Sequence, residues 1–557
     1  MRILGLSLSP HDSSAALIED GKILMAIEEE RLTRIRHCID YDTSKYNLKS
    51  EAKYFDSNFL NPSIDSLAKK IDGFQKYFAQ RINNEIDELD LVIGSNLLGT
   101  MTPIDNYINI GHHLAHAAHA FYTSPYKEAA ILVIDGSGDA WGNQLEVVSL
   151  YAGQGNHLRL LEKVTGRINH NTNTIIALTN SVGATYQNTA ALCGFGPFGE
   201  GKLMGLSSYG KSKYINEFMR FCRKRNSYYE IDNLDLYKYI KEIISKKKGR
   251  QNFADIAASV QEIINRLTIF YAKRLKKITK QDNLCYAGGV ALNAIANTKI
   301  LRESEFKRVY IPSAPGDNGI SIGAALYGYF LAKNKRSIIS DIPSAYLGHE
   351  YGNKEVMLAI HRYKKSISAK KLNTNELSKA AATLLSENKI ISWFQGASEF
   401  GPRALGHRSI FASPRDSSMR NRLNKIKGRE DFRPVAPIIL SDEVDNYFTY
   451  PKEAIADSLP YMLFVAQSIS KKVSATIPAV IHTDNTSRLQ TISKSKNPVI
   501  YKLLKEYTKL TKVPVLINTS FNIKGEPIVE TPDDAVKTFL ASDIDYLVLQ
   551  NYLIQKL

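Results

Sequence analysis

The sequence predicts an α/β protein of two domains, and three observations lead to this prediction. The chain has 557 residues, more than one hydrophobic core usually supports, and 44% of them are apolar. A strand, a polar loop and a hairpin follow one another twice in its first third. The composition then changes across a polar stretch at residues 333–351. We therefore predict an N-terminal domain at residues 1–350 and a C-terminal domain at residues 351–557.

The internal repeat carries the prediction for the N-terminal domain. Its first copy has an apolar run from Ile3 to Ser9, a polar loop from His11 to Ser14 and a turn at Asp20-Gly21 between two further apolar runs. The second copy begins at Ala129, and its polar loop runs from Asp135 to Asp139. Two related halves that face each other across a cleft predict a duplicated, actin-like nucleotide-binding fold of the actin and sugar-kinase type.

Later segments alternate between helix and strand. Apolar residues recur at helical spacing from Phe253 to Lys277, which predicts a long helix. The short strand from Leu284 to Ala287 opens into Gly288-Gly289, where the backbone can approach a ligand and the next helix offers its N-terminus to an anion. A tight turn is the alternative. In the C-terminal domain we predict strands from Ile390 to Phe394 and from Val513 to Ile517.

Charge and composition exclude several classes of protein. The net charge of +16 would attract anions, but the run from Lys246 to Lys248 is typical of a solvated surface, and no nucleic-acid-binding motif accompanies it. We therefore expect no nucleic-acid partner. No apolar stretch is long enough to cross a bilayer, and no secretion signal is recognisable, so we expect a cytoplasmic protein without a membrane partner. The four cysteines form no CxxC pair, which argues against a thiolate zinc site.

Two histidines and two aspartates predict a metal site. His112 and His116 lie four residues apart, so that on a helix they share one face and can bind one ion. Asp135, at the end of the next strand, and Asp317, in a Gly-rich turn, are candidate further ligands. This donor set suits divalent iron, manganese or zinc better than calcium. The alternatives are a hydrogen-bonded helix surface for the histidines and a helix cap for Asp317.

His11 is the candidate general base. It follows the first strand, where an actin-like fold directs a loop into the cleft, and a neutral imidazole there can take a proton from a hydroxyl group. A turn histidine that is hydrogen-bonded to the backbone is the alternative.

The C-terminal domain contains cations among small and apolar residues, which predicts an anion pocket. The planar guanidinium of arginine matches phosphate or carboxylate groups bidentately. Structural salt bridges are the alternative. The candidate residues are Arg403, Lys427, Arg433, Arg488, Ser520 and Asn522.

The order of these motifs resembles that of the O-carbamoyltransferases of the nodulation-protein and antibiotic-biosynthesis type. The resemblance covers nearly the whole chain. It includes the segments His11 to Ser13, Glu28 to Arg31, His112 to His116, Glu200 to Leu206, Gly288 to Asn293, Gly316 to Gly319, Gly401 to Gly406, Phe432 to Pro434 and Asn518 to Asn522. Arg36 stands where the family usually has lysine, and Asn485 stands where it usually has glycine.

The resemblance implies a fold and a reaction. The N-terminal domain would be similar to the universal tRNA threonylcarbamoyl-transfer protein, and the C-terminal domain would be a YrdC-like α/β domain. The latter would convert ATP and carbamoyl phosphate to carbamoyl-adenylate, and the former would pass the carbamoyl group to a hydroxyl of a small-molecule or sugar acceptor. Two other functions remain alternatives, namely threonylcarbamoyl transfer to tRNA and an actin-like regulatory ATPase without transfer.

The resemblance also implies roles for single residues. His112, His116, Asp135 and Asp317 would hold the metal, with Fe(II) favoured, and His11 would be the base. Glu200 would contact the acceptor. Carbamoyl phosphate, ATP or the adenylate would be bound by Arg36, Gly289, Asn293, Arg403, Lys427, Arg433, Arg488, Ser520 and Asn522. The oligomeric state stays open, a homodimer included.

Overall fold

The computed structural model describes residues 1–9, 11–38, 64–81, 89–95, 107–169, 177–334 and 344–557. The chain divides into two compact units. Unit 1 comprises Met1–Glu29, His37–Pro343 and Pro451–Ala456. Unit 2 comprises Glu30–Arg36, Ser344–Tyr450 and Asp457–Leu557. Two short segments therefore interrupt the order of the units along the chain. Glu30–Arg36 belongs to unit 2 although unit 1 precedes and follows it in sequence, and Pro451–Ala456 belongs to unit 1 although unit 2 precedes and follows it.

The first sheet of unit 1 has five strands in the order β3-β2-β1-β4-β5. These strands are β1 (Arg2–Ser7), β2 (Ser14–Glu19), β3 (Lys22–Glu28), β4 (Leu91–Ser95) and β5 (Tyr107–Asn109). β1, β2 and β3 pair antiparallel, whereas β4 runs parallel to β1 and β5 runs parallel to β4.

The second sheet of unit 1 repeats this topology. Its strands are β6 (Glu128–Ile134), β7 (Ala140–Trp141), β8 (Gln144–Gln154), β9 (His157–Asn169), β10 (Ala177–Leu178), β13 (Asn283–Ala287) and β14 (Arg308–Tyr310). The order β9-β8-β6-β13-β14 has the same antiparallel and parallel pairings as the first sheet. A small separate pair is formed by β11 (Cys222–Lys224) and β12 (Tyr229–Ile231). The predicted duplication of an actin-like half is confirmed.

The first hairpin shows how local sequence sets this topology. Glu19 pairs with Lys22, so that Asp20 and Gly21 form a two-residue turn. Their φ angles are 47° and 80°, and both residue types tolerate the left-handed region that such a turn requires. The predicted hairpin is therefore confirmed.

Helices cover the sheets of unit 1, and they explain why the central strands are apolar on both faces. Both α3 (His112–Tyr122) and α8 (Arg250–Thr279) contact β6, whose residues from Ala129 to Ile134 are fully buried. The other helices are α2 (Ile64–Arg81), α4 (Val182–Leu192), α5 (Glu200–Ser207), α6 (Ile215–Phe218), α7 (Asn233–Lys246), α9 (Ala294–Glu303), α10 (Ile320–Lys333) and α14 (Lys452–Ile455). The helix predicted from Phe253 to Lys277 lies within α8.

Unit 2 is built on a mixed sheet of eight strands in the order β16-β27-β26-β17-β19-β25-β20-β24. These are β16 (Ile367–Lys371), β17 (Ile391–Phe394), β19 (Arg408–Ala412), β20 (Ala436–Leu440), β24 (Gln490–Ile492), β25 (Val515–Ser520), β26 (Tyr546–Leu549) and β27 (Tyr552–Lys556). The predicted strands at Ile390 and Val513 correspond to β17 and β25.

Smaller elements complete unit 2. The remaining strands are β15 (Tyr346–Glu350), β18 (Ala397–Glu399), β21 (Phe448–Thr449), β22 (Val465–Ser468) and β23 (Thr486–Arg488). The helices are α1 (Glu29–Thr33), whose residues from Glu30 onward belong to this unit, α11 (Asn353–Arg362), α12 (Thr374–Ser386), α13 (Met419–Ile426), α15 (Lys471–Thr476), α16 (Pro498–Thr511) and α17 (Pro532–Leu540). Among the helices that the structure describes in either unit, none has the length and apolar character needed to cross a membrane.

Candidate functional site

Unit 1 brings the four predicted metal ligands together, and we call this group the His-Asp cluster. Nε2 of His112 and Nε2 of His116 lie 3.1 Å and 3.2 Å from Oδ2 of Asp135. The same two nitrogens lie 3.6 Å and 3.5 Å from Oδ1 of Asp317. Three of these residues are fully buried, and the Asp317 side chain is 9% exposed.

The topology explains this convergence. The parallel strands β6 and β13 end at the same edge of the second sheet, which places Asp135 beside Gly288 and Gly289. α3 begins at His112, and His116 follows about one turn later, so that the two imidazoles lie on one face of the helix. Asp317 begins the 3-10 turn before α10.

In both Asp135 and Asp317, the carboxylate oxygen that does not face the histidines accepts hydrogen bonds from other residues. The backbone N–H groups of Gly136 and Gly289 donate to Oδ1 of Asp135 at 2.8 Å and 2.9 Å. The Ser9 hydroxyl donates to Oδ2 of Asp317 at 2.9 Å. These contacts leave one oxygen of each aspartate directed at the histidines. A side chain on Gly289 would meet Oδ1 of Asp135 at 2.9 Å, so that glycine is required for this approach.

The electrostatics of the His-Asp cluster favour a bound cation. Burial alone would lower the pKa of His112, but the charge of Asp317 and hydrogen bonding to Asp135 outweigh burial and hold this pKa well above its ordinary value. Burial alone would raise the pKa of Asp135, but the hydrogen bonds to His112 and His116 and the charges of these histidines outweigh burial and hold this pKa well below its ordinary range. Two buried carboxylates and two imidazoles whose Nε2 atoms face them are a donor set that fits a divalent transition metal.

A further aspartate fixes the helix that bears both histidines. The N-cap residue of α3 is Gly111, which has no side chain to cap the helix. Oδ2 of Asp139 instead accepts the backbone N–H of His112 at 2.9 Å. Asp139 therefore supplies both the missing cap and a negative charge at the helix N-terminus.

The predicted base, His11, lies in the loop after β1. Its Nδ1 is 3.1 Å from Oδ2 of Asp12, and its side chain is 30% exposed. Burial would lower its pKa, but the hydrogen bond to Asp12 and the charges of Asp317, Asp12 and Asp135 outweigh burial and raise the pKa to about 9. Glu200, the predicted acceptor contact, begins α5, and loss of solvation raises the pKa of its carboxyl.

Unit 2 gathers the predicted anion-binding residues around β25 and the segment after α13, and we call their charged members the cation cluster. Burial and neighbouring arginines hold the pKa of Arg488 well below its ordinary value, and the same causes lower the pKa of Arg403 to about 10. Glu430 and Glu526 offset part of this repulsion. The cluster comprises Arg36, Arg403, Lys427, Arg429, Arg433 and Arg488.

Lys427 is the most buried member of the cation cluster, with 2% of its surface exposed. Its Nζ donates to Oδ1 and to the backbone oxygen of Asn522 at 2.7 Å and 2.9 Å, and it also contacts Ser520. The Ser520 hydroxyl donates to Oδ1 of Asn522 at 2.7 Å. The three predicted residues therefore form one hydrogen-bonded group.

Sequence reasoning missed Arg429 as a site residue. Burial, together with Arg433, Arg36 and Arg403, holds its pKa well below the ordinary value. The signal in the sequence is its place in the run Lys427-Gly428-Arg429. The φ of Gly428 is 56°, a left-handed conformation directly after the C-cap residue of α13, Lys427.

The loop that carries Arg403 is organised by a buried carboxylate. Oε1 of Glu399 accepts the backbone N–H groups of Leu405, His407 and Arg408 at 2.6, 2.8 and 3.2 Å. Glu399 is 1% exposed. It therefore fixes the path of the loop on both sides of the cation cluster's Arg403.

Two residues predicted to contact nucleotide have other partners in the structure. Gly289 donates its N–H to Asp135. Asn293 caps α9, because its Oδ1 accepts the N–H of Ala296 at 3.0 Å, and its amide also pairs with Gln261. Both residues belong to unit 1, whereas the other predicted nucleotide and phosphate ligands belong to unit 2.

The departure at Asn485 has a simple structural reason. Its φ is 63°, and asparagine tolerates this left-handed conformation better than most residues do. Asn485 can therefore take the place of glycine in the turn before Arg488.

Comparison with known families decides the classification. A family model described as the carbamoyltransferase N-terminus matches residues 2–326, and one described as the carbamoyltransferase C-terminus matches residues 382–556. The chain belongs to the carbamoyltransferase family. As an enzyme it is a carbamoyltransferase, and the predicted resemblance is confirmed.

Curated relatives match this carbamoyltransferase over most of their length. The nodulation protein NolNO of Sinorhizobium fredii is 32% identical over 98% of this chain and 79% of its own. Nodulation protein U of Rhizobium tropici is 30% identical over 94% of this chain and 91% of its own. The protein sll1178 of Synechocystis is 32% identical over 100% of this chain and 96% of its own.

Solved structures show a more distant similarity to this carbamoyltransferase. Full-length HypF in its phosphate- and nucleotide-bound form has a TM-score of 0.40 and 15% identity, covering 60% of this chain and 46% of HypF. The activator of the 2-hydroxyisocaproyl-CoA dehydratase from Clostridium difficile, with bound ADPNP, has a TM-score of 0.33 and 16% identity. It covers 60% of this chain and 96% of the activator.

Proposed function

We propose that this carbamoyltransferase uses ATP and carbamoyl phosphate to form carbamoyl-adenylate in unit 2. It then transfers the carbamoyl group in unit 1 to a hydroxyl of a small-molecule or sugar acceptor. The observation that carries this proposal is the cation cluster. Cations such as Arg403 and Arg488, which repel one another and are only partly exposed to solvent, are stabilised when a polyanion binds among them.

The arginines of unit 2 support its assignment to adenylate formation. In this reaction water releases inorganic phosphate from carbamoyl phosphate, an oxygen of the resulting carbamate bonds to the α-phosphorus of ATP, and the bond from that phosphorus to pyrophosphate breaks. Negative charge therefore lies along the whole reacting group. Arginines stabilise such charge through several parallel hydrogen bonds. We assign this step to unit 2 as a YrdC-like domain, with Lys427, Ser520 and Asn522 as an already organised part of the pocket.

The His-Asp cluster is the proposed metal site of unit 1, with Fe(II) favoured and Mn(II) or Zn(II) as alternatives. When bound, the ion supplies positive charge that polarises carbonyl and phosphoryl oxygens and offsets the field of Asp135 and Asp317. Ser9, Gly136 and Gly289 keep both carboxylates directed inward. Asp139 holds the start of the helix that carries His112.

His11 is the proposed general base. Nε2 of its imidazole takes the proton of the acceptor hydroxyl, the hydroxyl oxygen bonds to the carbamoyl carbon, and the bond from that carbon to the adenylate oxygen breaks so that AMP leaves. Nδ1 faces Asp12, which stabilises the imidazolium that forms. Glu200 is the proposed acceptor contact, because a partly exposed carboxyl at a helix N-terminus can bind a hydroxyl group.

Pyrophosphate release tests the first half-reaction. Purified protein is incubated with ATP and Fe(II) or Mn(II), with and without carbamoyl phosphate, and no acceptor is added. Release that depends on carbamoyl phosphate is the expected result. Release that requires threonine and bicarbonate would instead favour threonylcarbamoyl transfer, and phosphate release without pyrophosphate would favour a regulatory ATPase.

Arg433→Ala is the matching variant for this experiment. Arg433 belongs to the cation cluster and is 22% exposed at its side chain. Loss of carbamoyl-phosphate-dependent pyrophosphate release is expected, and unchanged release would return Arg433 to a structural role. Arg362→Ala is the control, because Arg362 forms an exposed ion pair with Asp533 in the same unit.

A further inference from the structure

One carboxylate in the loop after β1 binds two imidazoles. Oδ2 of Asp12 lies 3.1 Å from Nδ1 of His11, and Oδ1 lies 2.9 Å from Nδ1 of His37. The backbone N–H of Asp12 also donates to the backbone oxygen of His37 at 2.9 Å. The carboxylate is therefore held at both oxygens, and it cannot rotate without losing one of the two histidines.

Phe198 completes the group. The His37 ring stacks on it with ring centroids 4.3 Å apart and an angle of 16° between the ring planes. The His11 ring meets it edge-on with centroids 5.1 Å apart. Phe198 thus contacts both imidazoles that Asp12 binds.

The backbone shows that this arrangement is imposed by the fold. Asp12, His37 and Phe198 have φ angles of 53°, 61° and 59°, in the left-handed region, which aspartate and histidine tolerate but phenylalanine rarely adopts. A strained conformation such as that of Phe198 persists only where the surroundings determine it, and such conformations concentrate at functional sites. All three residues meet here through direct contacts.

The geometry determines which nitrogen of His11 can act as a base. A carboxylate accepts hydrogen bonds, so that the nitrogen facing Asp12 carries the proton. That nitrogen is Nδ1, and Nε2 of the neutral ring therefore holds the lone pair. If Asp12 moved, this hydrogen bond would no longer fix the tautomer or the orientation of the His11 ring.

We propose that His37 is a positioning residue for His11, which acts by fixing the Asp12 carboxylate. This inference rests on the proposed function, because it assigns His37 to the transfer step. In that step the acceptor proton moves to Nε2 of His11 while Nδ1–H continues to donate to Asp12. His37 holds Asp12 in place during the transfer and exchanges no proton with the substrate.

Two substitutions separate the hydrogen bond of His37 from its stacking. His37→Phe keeps a ring against Phe198 but removes the donor to Asp12. His37→Asn removes the ring but places an amide nitrogen near the position of Nδ1, and asparagine tolerates the positive φ. His361→Phe is the matched control, because His361 is exposed. Thermal unfolding of each variant shows whether the fold is retained.

The readout is the reactivity of His11 itself. Diethyl pyrocarbonate modifies a histidine only when its imidazole is neutral. The chain has 12 histidines, and peptide mass spectrometry distinguishes the modification of His11 from that of the others. The pH midpoint of modification is compared among variants at equal metal content. Asp135, Asp317, Glu200 and Asp12 face His11 in every variant, so that differences arise at residue 37.

If His37 positions Asp12, its removal shifts the pH midpoint of His11 modification in one direction only. If Asp12 loses its alignment in His37→Phe, the midpoint of His11 falls by about one pH unit, which increases modification near neutral pH ~10-fold. His37→Asn and His361→Phe keep the native midpoint. If His37 merely competed for Asp12, its removal would strengthen the remaining hydrogen bond and raise the midpoint.

Different results would overturn the positioning role of His37 and the proposed function. An unchanged or raised midpoint in His37→Phe would overturn the positioning role. Carbamoyl-phosphate-dependent pyrophosphate release by the native protein is measured in parallel, and its absence would overturn the proposed function.

Discussion

Oγ of Ser9 donates a hydrogen bond of 2.9 Å to Oδ2 of Asp317. This bond joins the segment after β1 to the turn before α10. Because Oδ2 is held in this way, Oδ1 of Asp317 remains directed at His112 and His116. A residue that orients a ligand in this manner affects metal affinity although it does not contact the metal.

Ser9→Ala is therefore expected to weaken Mn(II) binding by roughly 10–100-fold while the fold is retained. Competition with a fluorescent chelator measures the affinity. Ser417→Ala, at an exposed position of unit 2, is the matched control. Equal affinities in the two variants would show that Asp317 is oriented without Ser9.

Asp139→Ala is expected to loosen the first turn of α3. The change removes the acceptor for the N–H of His112 and a negative charge at the helix N-terminus, a loss of about 0.5–2 kcal/mol. Hydrogen exchange of the peptide that covers His112 to Tyr122 measures the effect, with faster exchange expected in the variant. Asp72→Ala, which breaks an exposed ion pair in α2, is the control. Unchanged exchange would contradict a capping role.

Much of unit 1 could be predicted because its signals are local. The Asp20-Gly21 turn, the apolar runs and the helical spacing of His112 and His116 each depend on neighbouring residues. The repeat of these patterns predicts the duplicated sheets. The two aspartates of the His-Asp cluster follow from the rule that loops at the ends of parallel strands meet at one edge.

The rest could not be predicted because it depends on distant contacts. Nothing in the sequence indicates that Asp139 caps a helix 27 residues earlier or that Glu30–Arg36 belongs to unit 2. The positive φ angle of Phe198 runs against its residue preference, and His37 and Phe198 are distant in sequence from His11 and Asp12, so that local reasoning misses the contacts among these four residues. That Asn293 also caps α9 leaves no distinct signal in the motif.

Arg488→Met is expected to stabilise the ligand-free protein and to abolish its stabilisation by ATP. Burial and three neighbouring arginines disfavour the Arg488 cation, so that its removal relieves repulsion, by about 1 kcal/mol or roughly 2–4 °C. Thermal unfolding with and without ATP measures both effects. Arg225→Met, at an exposed ion pair of unit 1, is expected to change neither. A lower melting temperature in Arg488→Met would identify Arg488 as a structural cation.

Metal loading is expected to lower the pKa of His11. The charges of Asp317 and Asp135 help to raise this pKa to about 9, so that positive charge at the His-Asp cluster offsets part of the increase. The midpoint of His11 modification should fall when chelator-treated protein receives Mn(II). In His116→Gln, which lacks one of the proposed ligands, the same addition should have a smaller effect. An equal midpoint with and without Mn(II) would contradict the coupling.

Lys427 is expected to take up a proton when ATP binds. Burial, reinforced by Arg429, Arg433 and Arg36, holds its pKa well below the ordinary 10.5. Between these two values the folded protein binds fewer protons at Lys427 than the unfolded protein does. The stability of the ligand-free protein therefore rises with pH over this interval.

Phosphate groups placed beside Lys427 raise its pKa again, so that proton uptake accompanies binding when the pH lies between the lowered and the raised value. Calorimetric titration of ATP at pH 8.5, in two buffers with different ionisation enthalpies, measures this uptake. The terminal phosphate of ATP is already deprotonated there, since such phosphates titrate near ~6. Lys427→Met should remove the uptake, whereas Lys425→Met, at an exposed position of α13, should preserve it. Equal uptake in the native protein and in Lys427→Met would place the titrating group elsewhere in the cation cluster.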